Sequence, residues 1–355
     1  INASWGGDDQ AAFLRLAIDE AGDAGIVFVA AAGNNGRDTD VTPYYPASYD
    51  LPNVVARGLR SGESKTVGVV SIANSDPYFT LVLHGIQERG WEAGFGVYIS
   101  HTELVDVCTT NAFIPDDDCL ADREDRHIGD LTRRNIQGLI LNSLQTDARL
   151  TKTLTKLKLP CILFQRLITG ERWDNFMCDD FQGTSDAMAH LIALGHRRIG
   201  LVEGFGYASH SVKHRHGAWK ASLEAAGLEA DPLLVADGQY DSAASYRVTK
   251  ELLARKDRPT AILYYSDVTA LSGIRAAYDL GLSVPRDLSI VGYDTLSTDE
   301  YTVPRLTSVS QQSARIGRDM MSRLAERIAN PDIEPIVRTY PQELIVREST
   351  GPVPV

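Results

Sequence analysis

The sequence predicts an α/β fold in which two doubly wound lobes, each with a mainly parallel sheet, follow a short β-α-β fragment. From residue 66 onward, short apolar runs that suit buried strands alternate with segments of helical periodicity. Glycines stand where predicted helices end, as Gly195, Gly227 and Gly281 do. The series of strand–helix pairs is long enough for two sheets, each covered by helices on both faces.

The first segment contains a predicted strand at 1–5, a helix at 9–24 and a second strand at 26–31. Apolar residues of the helix recur near the 3.6-residue period at Phe13, Leu16, Ala17, Ala21 and Ala24. One β-α-β unit cannot cover both faces of its own sheet, so we expect it to fold poorly alone.

The remaining predicted elements follow in order. Predicted strands are 66–72, 95–100, 138–142, 161–165, 198–203, 261–265 and 288–292, and predicted helices include 78–90, 184–195, 213–226, 243–255 and 268–281. Ligands of open α/β sheets bind beyond the carboxyl ends of the strands. With two lobes facing each other, we expect a ligand in the cleft between them.

The charge of the first segment argues against a nucleic-acid reader. The net charge of the chain is −12, and residues 1–53 hold two arginines against eight acidic residues, a net charge of −6. A module that grips phosphates gains most of its affinity from basic side chains. DNA should therefore repel this segment.

Cysteine usage indicates a reduced, cytoplasmic protein. The four cysteines, Cys108, Cys119, Cys161 and Cys178, show no CxxC spacing. No apolar run approaches the roughly 20 residues that span a membrane, and residues 1–4 do not read as the start of a signal peptide. We therefore expect no membrane partner.

Two polar clusters raise the question of a metal site. The acidic stretch from Asp116 to Asp125 lacks EF-hand spacing and is interpreted as a solvated loop and helix start, with a cation site as the alternative. His210, His214 and His216 have no cysteine or carboxylate nearby in the sequence to complete a ligand set, which favours surface or cleft-edge histidines. We expect no metal and no cofactor.

Residues 1–53 resemble part of a subtilisin-like serine protease. The resemblance rests on Ile-Asn-Ala-Ser-Trp-Gly-Gly at 1–7 and on the runs from Gly25 to Gly36 and from Tyr45 to Asn53. Asn34 matches the asparagine whose amide forms the oxyanion hole in that family. The triad is missing, so we predict no catalytic residue and no enzyme activity. The six residues at 183–188, Gly-Thr-Ser-Asp-Ala-Met, mimic the serine motif but fall inside a predicted helix.

From about residue 54 to the C-terminus, the sequence resembles the lactose/galactose-repressor family of transcription regulators. The motifs that carry the resemblance run from Asn74 to Phe79, His190 to Gly200, Pro259 to Ile262 with Ser266 and Asp267, Asp287 to Asp294 and Pro304 to Gln311. It implies a periplasmic-binding-protein-like effector-binding domain at 66–350, a hinge or linker at 54–65, a homodimer and a small effector, commonly a sugar. The family's helix-turn-helix would stand where residues 1–53 lie, so we expect the DNA reader to be absent.

The resemblance also implies an effector site at the strand ends. By motif position its residues are Tyr78, Phe79, Asn142, Ser209, Ser211, Arg215, Tyr240, Ser266, Asp267, Asp294 and Gln311. They suit a neutral sugar or another polyol, because carboxylates and amides pair with vicinal hydroxyls and aromatic faces cover the C–H side of a sugar ring. The alternatives are a turn cap for Asp294, the N-cap of 268–281 for Asp267, a surface ion pair for Arg215 and core packing for Phe79.

The hinge contains Leu59, which stands where the family inserts a leucine into the minor groove, and Arg57 and Arg60, which are placed to meet phosphates. Without flanking readers to hold it there, Leu59 is interpreted as a linker residue. Two other classes of function compete with the regulator. The hinge at 55–59 disfavours a periplasmic sugar-binding protein, and the missing triad disfavours a hydrolase.

Overall fold

The computed structural model describes residues 2–3, 29–30, 64–71, 77–102, 117–143, 145–168, 173–204 and 210–354. The chain divides into two compact units, Ile1–Lys65 and Thr66–Val355. In the first unit, β1 (Asn2–Ala3) pairs in parallel with β2 (Val29–Ala30), within the strands predicted at 1–5 and 26–31. The predicted residues Asn34, Arg57, Leu59, Arg60 and Ser209 lie outside the described residues.

The second unit contains two six-stranded sheets, one in each lobe. Its strands are β3 (Thr66–Ser71), β4 (Gly96–His101), β5 (Leu139–Leu141), β6 (Cys161–Phe164), β7 (Asp174–Cys178), β8 (Ile199–Glu203), β9 (Val235–Asp237), β10 (Ala261–Tyr264), β11 (Ser289–Asp294), β12 (Thr307–Ser310), β13 (Val337–Tyr340) and β14 (Glu343–Ile345). The N-terminal lobe has the order β13-β7-β6-β5-β3-β4, with parallel pairing throughout. The C-terminal lobe has the order β14-β12-β11-β10-β8-β9, in which β14 pairs antiparallel with β12.

Helices pack on both faces of each sheet. They are α1 (Pro77–Glu92), α2 (Asp117–Arg133), α3 (Asp147–Leu157), α4 (Asp180–Ala193), α5 (His210–Ala225), α6 (Ser242–Leu253), α7 (Asp267–Asp279) and α8 (Ser313–Ala329). Strand β6 shows how the faces divide, because Ile162 and Phe164 belong to one hydrophobic core and Cys161 and Leu163 to the other. Among the described residues, no helix has both the length and the apolar character that crossing a bilayer requires.

The predicted fold class is confirmed, and each strand predicted after residue 66 coincides with an observed one. The prediction lacks β7, β9, β12, β13 and β14. An apolar run does not mark β13, because it lies at a sheet edge and exposes Val337, Arg338 and Thr339. Strand β7 begins with the buried Asp174, whose carboxylate accepts a hydrogen bond from Arg327 Nε at 2.6 Å.

Three segments connect the lobes: residues 178–180 from β7 to α4, 310–313 from β12 to α8, and 340–343 from β13 to β14. Helix α8 and strand β13 belong to the N-terminal lobe, although they follow most of the C-terminal lobe in the chain. Helix α8 touches α1 backbone to backbone. A Cβ on Gly85 would lie 2.1 Å from the carbonyl oxygen of Ala314, and one on Gly317 would lie 2.1 Å from that of Val82. A larger residue at either glycine would force the two helices apart.

Candidate functional site

A buried group of polar side chains lies where the three crossovers meet the carboxyl ends of the C-terminal-lobe strands. The crossover cluster consists of Asp180, Arg215, Tyr293, Asp294, Gln311 and Gln342, each at most 6 % exposed. Each crossover supplies one of these residues: the first supplies Asp180, the second Gln311 and the third Gln342. The others come from α5 and from the end of β11.

Arg215 supplies the positive charge of the cluster. Its Nε donates to Asp180 Oδ1 at 2.9 Å, and one of its η nitrogens donates to the carbonyl of Tyr265 at 2.7 Å. The guanidinium carbon lies 3.4 Å from the ring centroid of Tyr293 and 4.4 Å from that of Tyr265. The alternative interpretation, in which Arg215 forms a surface ion pair, is therefore wrong, because its carboxylate partner Asp180 is fully buried. Breaking such a pair would strand an uncompensated charge in the interior.

Hydrogen bonds from two glutamines and a tyrosine extend the cluster. The hydroxyl of Tyr293 donates to Gln342 Oε1. Gln342 Nε2 lies 3.3 Å from Asp180 Oδ1 and 3.4 Å from Gln311 Oε1, as a donor to both. Gln311 Nε2 donates in turn to Asp294 Oδ1. One continuous network thus joins all three crossovers to the end of β11.

The backbone at the end of β11 is strained. Asp294 has a φ of 111° and Thr295 a φ of 59°, both in the region that favours glycine. Such conformations cost on the order of 1–3 kcal/mol each and persist where the surrounding structure enforces them. The Asp294 carboxylate is therefore held in a fixed direction at the strand end.

The C-terminal lobe has a small pocket at the carboxyl ends of β8, β10 and β11. Glu203, Arg215 and Tyr265 are among its lining residues. Tyr240 packs edge-on against Tyr265, with ring centroids 4.4 Å apart. Burial raises the pKa of Tyr265 to about 12, so its hydroxyl keeps its proton near neutral pH. Glu203 Oε1 lies 2.9 Å from His216 Nδ1.

The N-terminal lobe has a more apolar pocket at the ends of β3, β5 and β6, with Phe79, Asn142 and Phe164 in its lining. Phe79 meets Phe164 edge-on at 6.3 Å, so it serves the core as well as the pocket. Asn142 Nδ2 donates to the carbonyl of Phe164 at 3.0 Å, while Asn142 Oδ1 has no hydrogen-bond partner among the described residues. Tyr78 lies at the first crossover, with its hydroxyl 3.7 Å from Cys178 Sγ.

Two of the predicted site serines are buried in helix starts. Ser266 is the N-cap of α7 and forms a capping box with Thr269, so the alternative of Asp267 as the N-cap is wrong. Ser211 is 4 % exposed in the first turn of α5, the helix that also carries Arg215.

Asp267 is fully buried and supports the turn after β11. Its carboxylate accepts hydrogen bonds from Ser308 Oγ at 2.6 Å and from the backbone N–H of Leu296 at 3.0 Å. Burial and the nearby charge of Asp299 raise the pKa of Asp267. The two buried carboxyl groups therefore form an acid pair, in which the negative charge of one disfavours ionisation of the other.

Sequence reasoning missed Asp180, Tyr265 and Gln342. Asp180 follows Asp179, which caps α4, and two successive aspartates read simply as a helix start. Tyr265 follows β10 and acts through its backbone carbonyl and its ring, which no motif position reveals. Gln342 reaches the cluster only because the third crossover returns there.

From Asp117 onward the acidic stretch is helical and several of its carboxylates are paired, so its interpretation as a solvated segment is wrong in part. Asp122 and Asp125 each lie 2.6 Å from an η nitrogen of Arg149. Glu124 is 3 % exposed and accepts a hydrogen bond from Ser143 Oγ at 2.5 Å. Within the described ranges, no three side chains of the metal-binding types come together as a ligand set.

The serine of the protease-like motif lies inside a helix, as predicted. Ser185 belongs to α4, and its hydroxyl donates to the carbonyl of Phe181 at 2.7 Å, as a helix-interior serine does.

Two family descriptions match the chain: periplasmic binding protein-like domain over residues 188–350 and subtilase family over residues 1–194. The HTH-type transcriptional repressor PurR of Aliivibrio salmonicida is 26 % identical over 299 residues, which cover 84 % of this chain and 85 % of that repressor. The PurR repressor of Photobacterium profundum is 28 % identical with the same coverage.

Solved structures show the same fold. A LacI family transcriptional regulator from Enterococcus faecium with bound ribose is 26 % identical, with a TM-score of 0.70 over 81 % of this chain and 99 % of its own. The complex of the regulator CelR with cellobiose is 25 % identical, with a TM-score of 0.70 over 90 % of this chain and 93 % of its own. The lac repressor dimer bound to operator and the anti-inducer ONPF, at 23 % identity and a TM-score of 0.73, covers 85 % of this chain and 100 % of its own.

The two lobes and the strand-end pockets define an effector-binding protein of the periplasmic-binding-protein-like class. From Thr66 onward the chain is the effector-binding domain of a LacI-family regulator, and through its N-terminal segment it also belongs to the subtilase family. The subtilase match runs on to residue 194, across the elements from β3 to β7 that build the N-terminal lobe of the regulator fold. Both predicted resemblances are thus confirmed.

Proposed function

We propose that this chain senses a small sugar in the cleft between its lobes, as the sensory part of a cytoplasmic LacI-type regulator. The observation that carries the proposal is the crossover cluster, because one network joins the ligand end of β11 to every connection between the lobes. A ligand that contacts Asp294 or Arg215 would favour one arrangement of the crossovers over another. Similar regulators with bound ribose and cellobiose support a sugar.

Asp294 and Arg215 are the proposed main polar anchors. Asn142 and Gln311 would add hydrogen bonds, and Phe79 and Tyr240 would supply aromatic faces. The remaining site residues proposed from motif positions are Tyr78, Ser209, Ser211 and Ser266. For Asp267 we propose support of the turn after β11 in place of ligand contact, since its two oxygens already accept hydrogen bonds.

A thermal-shift screen of pentoses, hexoses and disaccharides on the full chain tests this proposal. A ligand at a hundredfold excess over Kd adds about 2.7 kcal/mol to the free energy of unfolding. Asp294→Asn should abolish the shift for the best hit, and Asp332→Asn, at an exposed position, should retain it. Undiminished binding by Asp294→Asn would disprove the anchor, and a screen without hits would disprove sugar sensing.

The proposed sensor is a homodimer. Large apolar side chains with unusual exposure support this, among them Trp91 at 66 %, Tyr301 at 86 % and Val303 at 92 %. Sedimentation equilibrium should give a dimer for the wild type, and Tyr301→Asp should weaken it. Lys256→Asp, at an exposed position without an apolar side chain, should leave the dimer unchanged. A monomeric wild type would contradict the proposal.

We further propose that the chain binds no specific operator. The acidic residues 1–53 oppose approach to DNA, and Arg57, Arg60 and Lys65 could make three phosphate contacts, for a salt slope of only about −2.7. Polarisation measurements with palindromic sites at about 150 mM salt should show no selective binding. Sequence-selective binding tighter than about 100 nM, well below the usual non-specific range, would reveal a reader in the first segment.

Protease activity is also excluded in this proposal. The relatives are transcriptional repressors, and Ser185 lies in a helix with its hydroxyl bonded to the backbone. A fluorogenic peptide assay should show no turnover above a heat-denatured control. Turnover that disappears in Ser185→Ala would overturn this assignment.

A further inference from the structure

Arg166 is a buried cation for which the site described above has no role. It follows β6 at the ligand end of the N-terminal lobe, and its side chain is 11 % exposed. One η nitrogen donates to the carbonyl of Gln145 and, at 2.6 Å, to Asp147, whose side chain is 72 % exposed. Its Nε is buried and has no hydrogen-bond partner among the described residues. A buried donor without an acceptor is costly, so this position is incomplete without one.

On the C-terminal lobe, α5 begins at the half-buried His210, whose ring centroid is 3.8 Å from that of His214. Burial and the neighbouring His214 lower the pKa of His210 to about 4. The charge of Arg166, from the other lobe, is among the charges that lower this pKa. The first turn of a helix adds partial positive charge at the same place.

We propose that the effector carries an anionic group, a carboxylate or a phosphate, which binds between Arg166 and the His210–His214 pair at the start of α5. This inference rests on the sugar sensing proposed above and changes the neutral sugar predicted from the sequence to an acidic one. Arg215 suits this task less, because its partner Asp180 is fully buried beside it, whereas Asp147, the partner of Arg166, is largely exposed to solvent. An Arg donor and a helix N-terminus are both groups that bind carboxylates and phosphates.

Binding of such an anion should be linked to protonation of His210. The groups that act on this imidazole are Asp180 from α4, Lys213 and His214 from α5, and Arg166 from the other lobe. Without ligand, a pKa of about 4 keeps His210 neutral at pH 7, and an adjacent anion raises that pKa. An acidic sugar should therefore bind with proton uptake and more tightly as the pH falls towards about 6.

Calorimetry on the full chain tests the inference with matched sets in which each hexose is compared with its uronate and its 6-phosphate. At least one acidic member should bind on the order of tenfold more tightly than its neutral counterpart, the gain expected for a charged hydrogen bond. Repeating the titrations in buffers of different ionisation enthalpy should reveal the proton uptake. Comparing the uronate with the 6-phosphate distinguishes a carboxylate site from a phosphate site. Arg166→Gln should remove the preference and leave the neutral sugar unaffected. Arg286→Gln, at an exposed arginine, should change neither affinity.

The outcomes separate this inference from the proposed function. If neutral sugars bind and no acidic sugar binds more tightly, the anionic site is wrong and sugar sensing stands. If neither kind binds, both proposals are wrong. Should Arg166→Gln unfold at a much lower temperature than the wild type, the affinity ratio and the proton uptake of the wild type decide the question.

Discussion

The C-terminal lobe buries polar side chains at both ends of its sheet, and the two groups differ in how fully they are satisfied. The His196 cluster, at the amino ends of the strands, consists of His196, Thr260, Ser289 and Gly351. His196 Nδ1 lies 2.9 Å from Thr260 Oγ1, and its Nε2 lies 3.0 Å from both Ser289 Oγ and the carbonyl oxygen of Gly351. Both ring nitrogens therefore have partners within the fold.

The crossover cluster, at the carboxyl ends of the strands, has a buried polar atom without a hydrogen-bond partner among the described residues. In this sense it is the open end of the lobe, and the His196 cluster is the closed one. Asp180 is fully buried, yet its Oδ2 has no hydrogen-bond partner among the described residues. Asn142 Oδ1 and Arg166 Nε, on the other lobe, share this property. Buried polar groups normally find partners, so those that lack them need another explanation. We infer that the closed cluster stabilises the fold, whereas the open end retains hydrogen-bonding capacity for a ligand.

The largest expected effect comes from removing the charge at the open end. Arg215→Met leaves Asp180 buried without its cation, which should lower the free energy of unfolding by about 3–5 kcal/mol and abolish effector binding. Urea denaturation measures the loss, with Arg275→Met as the control, an exposed arginine that should show no measurable change. A loss no larger than that of the control would contradict the role given to the buried pair.

The closed cluster should respond in stability alone. His196→Leu removes the hydrogen bonds that the imidazole makes with Thr260, Ser289 and Gly351, and it should lower the free energy of unfolding by about 2–3 kcal/mol. The Kd for the best ligand of the screen should not change. A variant with weakened binding and undiminished stability would break the distinction between the two ends.

A smaller, pH-dependent effect is expected from the acid pair. Burial raises the pKa of Asp299, and Arg347 approaches it only to 4.0 Å. A carboxyl group with a raised folded pKa stabilises the fold below its unfolded pKa, and this contribution is lost as the pH rises through the folded pKa. Asp299→Asn should therefore be more stable than the wild type at pH 7.5, by on the order of 1 kcal/mol, with the gain disappearing near pH 4.

Denaturation curves at several pH values check this sign, with Asp257→Asn as a control at an exposed carboxylate. Equal pH dependence in the wild type and Asp299→Asn would show that the acid pair does not titrate in the proposed way.

The sequence predicted the strands with long apolar runs and the residues at motif positions, because both signals are local. Arg215, Asp294 and Gln311 were found in this way and do lie together. Asp180 and Gln342 were not found, since they meet only after the chain has crossed between the lobes three times. The acidic pattern of α2 likewise concealed the burial of Glu124, because its partner Ser143 lies after the next strand.

The return of α8 and β13 to the first lobe has a consequence for biosynthesis. The N-terminal lobe lacks the core residues Ile316, Met320 and Leu324 and its edge strand until the ribosome has passed residue 340. The C-terminal lobe likewise waits for β14 and for the partners of His196 near residue 351. A transcript truncated anywhere before the codon for Val337 therefore encodes two incomplete lobes. Although the domain consists of two lobes, neither lobe can complete its fold until nearly the whole chain has been synthesised.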